Sequence, residues 1–543
     1  MGESVAGPGS SGLSRLASRT AAVQIAPAMS GLLQTPSRCS TGIAGLDEIL
    51  HGGLPVRRLH LVQGEPGTGK TTLALQFLLE GVRRGEACLY VTLAESAEEL
   101  AEVARSHGWS LEGLHVHALS EFEALESPDA QNTLFHPAEV ELHDTIEALF
   151  SAVRRRHPAR AVIDSLSELR LLSQNAWGYR RQVLGLKVAF DRLGCTTLLV
   201  DDLTATGAQA LDRQVESVAH GVIALRRVEP AYGTARFRLS VRKLRGSDFS
   251  AGAHDYAIRR GGLVLFPRVL AARSDRVFTR EPIPCGIAGI DRLLGGGLDR
   301  GTSTLVLGPA GAGKSTLALT FAGAVARGGE RVALFAFEEN LGLYQAKSAT
   351  LGWDLADAMR RGQVEAHQMD PAQLSPGQFS HLVAASVSPG RARLVVIDSL
   401  NGYSRAMQAG EDLNLQLHEL LAYLAQHGVT TLLVLAQQGY LGQIESPLDL
   451  TYLADAVVVL RYFEAAGRVR QAISVAKKRS GDHERTIREL EFTAAGLRVG
   501  EPLTGFRGVL TGVPEFVGNA AAMLGQPPHP EAAGGQNGPG PCA

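Results

Sequence analysis

Gly64-Glu65-Pro66-Gly67-Thr68-Gly69-Lys70-Thr71 and, 244 residues further on, Gly308-Pro309-Ala310-Gly311-Ala312-Gly313-Lys314-Ser315 fit one pattern, G-x-x-x-x-G-K-[ST]. Each follows an apolar run, Leu59 to Gln63 in the first case, and precedes a stretch of helical spacing such as Leu75, Leu78, Leu79 and Val82. A glycine-rich turn between a buried strand and a helix gathers backbone N–H groups and the positive helix end around one point, where phosphate binds. The expected ligands are ATP and Mg²⁺. Gly64, Gly67, Thr68, Gly69, Lys70, Thr71 and Thr72 would line the first cradle, and Gly308, Gly311, Ala312, Gly313, Lys314, Ser315 and Thr316 the second. The lysine of each reaches the β- and γ-phosphates, and the hydroxyl of Thr71 or Ser315 faces the metal.

The repeat extends outward from the loops. Gly42 to Leu54 matches Gly286 to Leu298 at the same offset of 244, with nine of thirteen positions identical, and the offset carries Glu95 to Glu339 and Trp109 to Trp353. Beyond that it becomes 234, taking Asp164 to Asp398 and Arg245 to Arg479, so the second copy is ten residues shorter, net, between Trp109 and Asp164. A period this long is a duplicated domain. The expected units are residues 39–268 and 283–510, joined by a linker at 269–282. The ends, 1–38 and 511–543, are rich in small residues and proline and are expected to be largely disordered.

Within each copy, short apolar runs (Cys88 to Thr92, Arg160 to Ile163, Thr196 to Val200) alternate with helical stretches, as in a parallel sheet covered on both faces. Ala235 to Lys243 and Val469 to Lys477 instead alternate polar and apolar residues, as an antiparallel strand with one wet face should. The predicted fold class is α/β: two tandem domains, each a mainly parallel sheet flanked by helices, with an antiparallel edge extension.

Composition narrows the function. The 543 residues are 45% hydrophobic and 20% charged with a net charge of −2, and no apolar run is long enough for a membrane helix. The balanced charge argues against an electrostatic wrap around nucleic acid. Five cysteines without a C-x-x-C pair exclude a disulfide framework or a structural zinc site and point to a reducing, cytoplasmic setting. Only seven of the 53 basic residues are lysine: Lys70, Lys187, Lys243, Lys314, Lys347, Lys477 and Lys478. In an arginine-dominated chain, each lysine asks what a compact ammonium does there.

A metal site needs a carboxylate beside the phosphate loop. Asp164 and Asp398 each end a buried apolar run, in Val162-Ile163-Asp164-Ser165 and Val396-Ile397-Asp398-Ser399, and are expected to position magnesium with Thr71 and Ser315. Hydrolysis also needs a group that orients or deprotonates the nucleophile. Phe337 leads into Glu338-Glu339 in the second copy, whereas the first reads Leu93-Ala94-Glu95.

Together the Gly-Ile-Ala-Gly lead, the Gly-Gly-Leu that follows, the phosphate loops, Phe337-Glu338-Glu339, the Ile-Asp-Ser strand ends, and Lys243-Leu244-Arg245 and Lys477-Lys478-Arg479 resemble the KaiC family of RecA-like ATPases. The resemblance covers residues 39 to about 510. It implies P-loop NTPase domains in a homohexameric ring with ATP between subunits, where Lys243, Arg245, Lys477 and Arg479 reach the neighbour's nucleotide. It further implies Glu338 as general base, Glu339 and Glu95 beside the reaction, and a serine/threonine autokinase activity in the second domain with Thr451 as phosphoacceptor. Signal transduction or clock-like regulation, with a signalling protein as partner, follows from the same resemblance. Three departures stand out: Ala94 in place of a glutamate, Tyr452 beside Thr451, and a chain end, Pro502 to Leu510, similar to other bacterial members. Two other classes compete. One is a RecA or helicase-type DNA-dependent ATPase, for which Arg154-Arg155-Arg156 and Arg226-Arg227 are the candidate contacts; the other is a scaffold that binds ATP without turnover.

Overall fold

The computed structural model describes residues 37 to 517 apart from internal stretches, the longest being 120–136, 204–214, 271–280 and 438–449. Nine strands form the first sheet, ordered from one edge as His115–Ala118, Cys88–Thr92, Arg160–Asp164, Thr196–Asp202, Leu59–Gly64, Gly221–Val228, Arg236–Leu244, Ala253–Arg259 and Gly262–Phe266. The first six are mutually parallel and the last three extend the edge antiparallel. The second sheet repeats this order from Val364–Gln368 to Gly496–Pro502. Each copy is therefore the predicted parallel core with an antiparallel extension, and the phosphate-loop strand lies at its middle.

The apolar runs are continuous because both sheet faces are covered. In the first copy Val62, Tyr90, Val162 and Leu198 pack against Leu75, Phe77 and Leu78 of the helix Lys70–Arg83. On the opposite face Leu61, Val91, Ile163 and Leu199 meet Ile146, Leu149 and Phe190. Each such fully buried side chain contributes about 1.5–3 kcal/mol. The strand Arg236–Leu244 buries Leu239 and Val241 by alternation, and a bulge at the exposed Arg242 shifts the pattern by one residue so that Leu244 is buried as well.

The Gly-Gly-Leu repeat has a steric cause. Gly53 and Gly297 hold φ of 114° and 133°, and a Cβ there would collide with the carbonyl oxygens of Cys39 and Ile283 across two-stranded hairpins. The aspartates of the leading motif serve these turns too. Asp47 accepts from Thr41 N and Thr41 Oγ1, both at 2.8 Å, and Asp291 accepts from Cys285 N at 2.7 Å.

Sequence offsets hide part of the length difference. Strand register aligns His115 with Glu365 rather than with residue 359, because each pairs with the equivalent strand position, Leu89 or Ala333. The second copy thus gains six residues, which accommodate its helix Leu355–Arg360, and then loses sixteen before Leu394.

Short paired strands lie at the edges of both units. Arg38–Cys39 and Pro282–Ile283 are already strands, and beyond 510 a hairpin pairs Phe506–Arg507 with Glu515–Phe516, so the stretch from 511 does not begin as a tail. Phe506 anchors that hairpin between Phe463 and Phe516, at ring distances of 5.3 and 5.2 Å. Residues 1–36 and 518–543 lie outside the described residues. The two domains touch where Gly377 N donates to Asp255 Oδ2 at 2.8 Å and Arg268 pairs with Glu419.

Candidate nucleotide sites

Each phosphate loop runs from the carboxyl end of the central strand into a helix that begins at a left-handed glycine, Gly69 (φ 85°) or Gly313 (φ 94°). Side chains at these positions would strike Ile258 and Phe492, so the turn tolerates only glycine. Tyr256 OH donates to Thr68 O at 2.6 Å and fixes the first loop from the antiparallel extension. Thr72 directs its hydroxyl to within 3.4 Å of His107 Nε2, leaving its backbone N–H, one of the first-turn groups without an intrahelical partner, on the loop side.

Lys70 and Lys314 are both buried. Lys70 Nζ donates to Glu65 O at 3.0 Å and pairs with Asp202 Oδ1 at 2.6 Å. Lys314 Nζ donates to Pro309 O at 2.6 Å. Burial pulls the Lys314 ammonium down, against the opposing pull of Asp398, Glu338 and Glu339. An anion such as phosphate relieves that desolvation.

The strand-end aspartates lie beside the loop hydroxyls. Thr71 Oγ1 donates to Asp164 Oδ2 at 3.1 Å, and Tyr90 OH donates to the same oxygen at 2.5 Å. In the second copy Asp398 stands beside the hydroxyls of Ser315 and Tyr344, while its buried Oδ2 has no hydrogen-bond partner. Desolvation holds both carboxyls above the usual range. An orphaned buried carboxylate oxygen is costly and fits a cation. One carboxylate and one hydroxyl per site are the donors that Mg²⁺ would use alongside substrate phosphates.

The acidic strand ends differ between copies. Glu339 is tied to Lys347 at 2.5 Å, and Glu338 is exposed beside it. Val103 replaces Lys347 in the first copy. There Glu95 keeps a buried Oε2 without a partner, and desolvation followed by the Asp164 charge raises its carboxyl.

The Lys-x-Arg pairs lie at the other end of the sheet. Lys243 pairs with Val222 and that residue with Leu61, three residues before Gly64 opens the loop. At about 3.3 Å per residue the pair is roughly 10 Å from its own loop along the strands and on the amino-terminal side. Lys243 Nζ donates to Glu216 O at 2.8 Å and Arg245 to Ser217 O at 2.8 Å. Correspondingly, Lys477 Nζ donates to Thr451 O at 2.7 Å and Arg479 to Tyr452 O at 2.8 Å. Thr451 is therefore next to Lys477 and Arg479, distant from Glu338; Ser446 to Asp449 fall outside the described residues. Of the arginines considered for DNA, Arg154 pairs with Glu147 at 3.2 Å and Arg227 with Glu229 at 2.8 Å.

Sequence reading missed Asp202, Tyr90, Tyr344 and the role of Lys347. Lys347 was visible as one of the seven lysines. Asp202 carried the same strand-end signal as Asp164, while the tyrosines carried none, since they lie inside apolar patterns.

Comparison with known proteins shows the family. The KaiC ATPase family matches residues 39–269 and 283–504, and the chain belongs to that family. It is 28% identical over 489 residues to the circadian clock oscillator protein KaiC of Picosynechococcus, covering 89% of this chain and 93% of that one. It is also 28% identical over 479 residues to KaiC of Thermosynechococcus vestitus, covering 87% and 91%, and 26% identical over 500 residues to KaiC of Synechococcus elongatus, covering 91% and 95%.

Proposed function

We propose that this chain is a magnesium-dependent ATPase and autokinase of a cytoplasmic signalling or clock-like system, working as a homohexameric ring with ATP at the subunit interfaces. The observation that carries the reading is the separation of each Lys-x-Arg pair from its own phosphate loop: the two ends of one sheet suit two different nucleotides. Lys70 and Lys314, with the loop N–H groups, clamp the β- and γ-phosphates of the substrate. Magnesium, when bound at Thr71 and Asp164 or Ser315 and Asp398, neutralises phosphate charge. Glu338 accepts the proton of an attacking water as its oxygen bonds to the γ-phosphorus and the bond to ADP breaks. Lys347 keeps Glu339 occupied and leaves Glu338 for that task. Arg479 of a neighbouring subunit meets charge that grows only in the transition state.

The same arrangement favours phosphoryl transfer to Thr451. It is exposed and stands beside the pair that would approach the neighbour's ATP. The hydroxyl would replace water as nucleophile, with its proton passing to the neighbour's Glu338. The partner is expected to be a signalling protein rather than nucleic acid, a reading supported by the balanced net charge and by the pairing of Arg154 and Arg227, two of the five candidate arginines, with local carboxylates. Purified protein incubated with ATP and Mg²⁺ should release ADP without DNA and carry phosphate on Thr451 in a mass-spectrometric map. ADP release without any stable phosphosite would leave an ATPase alone, and stimulation by single-stranded DNA would favour the recombinase class.

A further inference from the structure

The two metal-site aspartates receive a tyrosine from different elements. In the first copy the tyrosine is on the strand, at Tyr90, and the helix position that follows is Leu100; in the second copy the strand carries Leu334 and the helix carries Tyr344. All four side chains are buried in equivalent cores, so the exchange conserves apolar volume while moving a hydroxyl from one element to another. Both hydroxyls finish at the strand-end aspartate: Tyr90 OH at 2.5 Å from Asp164 Oδ2, and Tyr344 beside Asp398 together with Ser315.

We infer that Tyr90 and Tyr344 are positioning residues that fix the rotamer of Asp164 and Asp398 and thereby set the affinity of each site for a divalent cation. In the first copy Tyr90 and Thr71 both donate to Oδ2, so the carboxylate is held through one oxygen and its other oxygen would be the one available to a cation. A ligand held by a second group loses less rotational freedom on binding, and removal of such partners typically weakens metal sites about 10–100-fold. A leucine core does not need the hydroxyl. Its burial at the same point in both copies, by different routes, marks the contact with the aspartate as what the two arrangements share.

The inference rests on the reading of these aspartates as metal positions. Mn²⁺ binding to the full chain, loaded with a non-hydrolysable ATP analogue, is to be measured by electron paramagnetic resonance, with thermal melting as a check on folding. Tyr344→Phe in a Lys70→Ala background isolates the second site and should weaken Mn²⁺ about tenfold at an unchanged melting temperature. The exchange Leu334→Tyr with Tyr344→Leu, which rebuilds the first copy's arrangement in the second, should restore binding if the variant folds. Mn²⁺ bound equally by parent and Tyr344→Phe would overturn the tyrosine inference alone. A parent that binds no Mn²⁺ would overturn the metal reading with it.

Discussion

Lys70 Nζ lies 2.6 Å from Asp202 Oδ1, whereas the second domain carries Ala436 where the first has Asp202. One phosphate-loop lysine is thus held by a carboxylate of its own domain, and the other is held by a backbone carbonyl at Pro309. Nucleotide entering the first site must compete with Asp202 for the ammonium and also tolerate its charge.

Asp202→Ala should therefore tighten ATP at the first site, and Ala436→Asp should loosen it at the second. Asp202 is one-third exposed, so the pair is screened and the change is about threefold, in keeping with roughly 0.2–1 kcal/mol for such pairs. Fluorescent-ATP titration in a Lys314→Ala background reads the first site alone. Weaker binding in Asp202→Ala would show that the aspartate helps the nucleotide instead.

Glu338→Gln should lower turnover by at least about 10²-fold, the usual scale for loss of a positioned base. What remains should come from the first domain and depend on Glu95. Its carboxyl is raised by desolvation, so the residual rate should fall on acidification at a higher pH than an ordinary carboxylate would give. A residual rate that is unchanged by Glu95→Gln would exclude that residue as a base.

Arg479→Ala should slow turnover or loosen the oligomer while leaving monomer melting intact. The guanidinium is half-exposed and, among the described residues, holds the Tyr452 carbonyl and, at 3.7 Å, Asp455. Sedimentation and ADP release, measured on the same sample, separate the effects. Full activity from a monomeric species would contradict a shared site.

Acid should unfold the first domain before the second. His60 is fully buried, and desolvation lowers its pKa to about 4; His220 is likewise lowered to about 4 by desolvation and by Lys187, Arg58 and Arg245. The unfolded chain takes up these protons near pH 6.5 while the folded domain refuses them, so stability is lost as pH falls from about 6.5 toward 4. His60 alone is worth about 3 kcal/mol over that window. Thr304 and Ala454 hold these positions in the second domain, which lacks the effect. Calorimetry at pH 7 and pH 5 should show one transition moving more than the other, and His60→Thr should reduce the gap.

Much of this was legible in the sequence because duplication doubled every signal. The loops, Asp164, Asp398, and the antiparallel edge at Ala235 to Lys243 all appear twice at fixed spacing. Asymmetric features were harder. Asp202, Lys347, Tyr90 and Tyr344 have no like-for-like counterpart in the other copy, and their roles come from tertiary proximity that spacing does not encode. The six-residue gain and sixteen-residue loss were invisible for a simpler reason: offsets record only their difference.

The placement of Lys243 and Arg245 three residues behind the strand position that opens the loop gives the molecule a front and a back. A contact joining the front of one copy to the back of the next is not self-complementary, so a pair of molecules always leaves one of each unsatisfied, and only the rotation per step decides between a closed set and a filament. Two variants impaired in the second domain should then rescue one another there. Lys314→Ala supplies a sound back and Arg479→Ala a sound front, so a mixture should regain activity at those junctions where the intact halves meet, to about one quarter of the parent for random equal mixing.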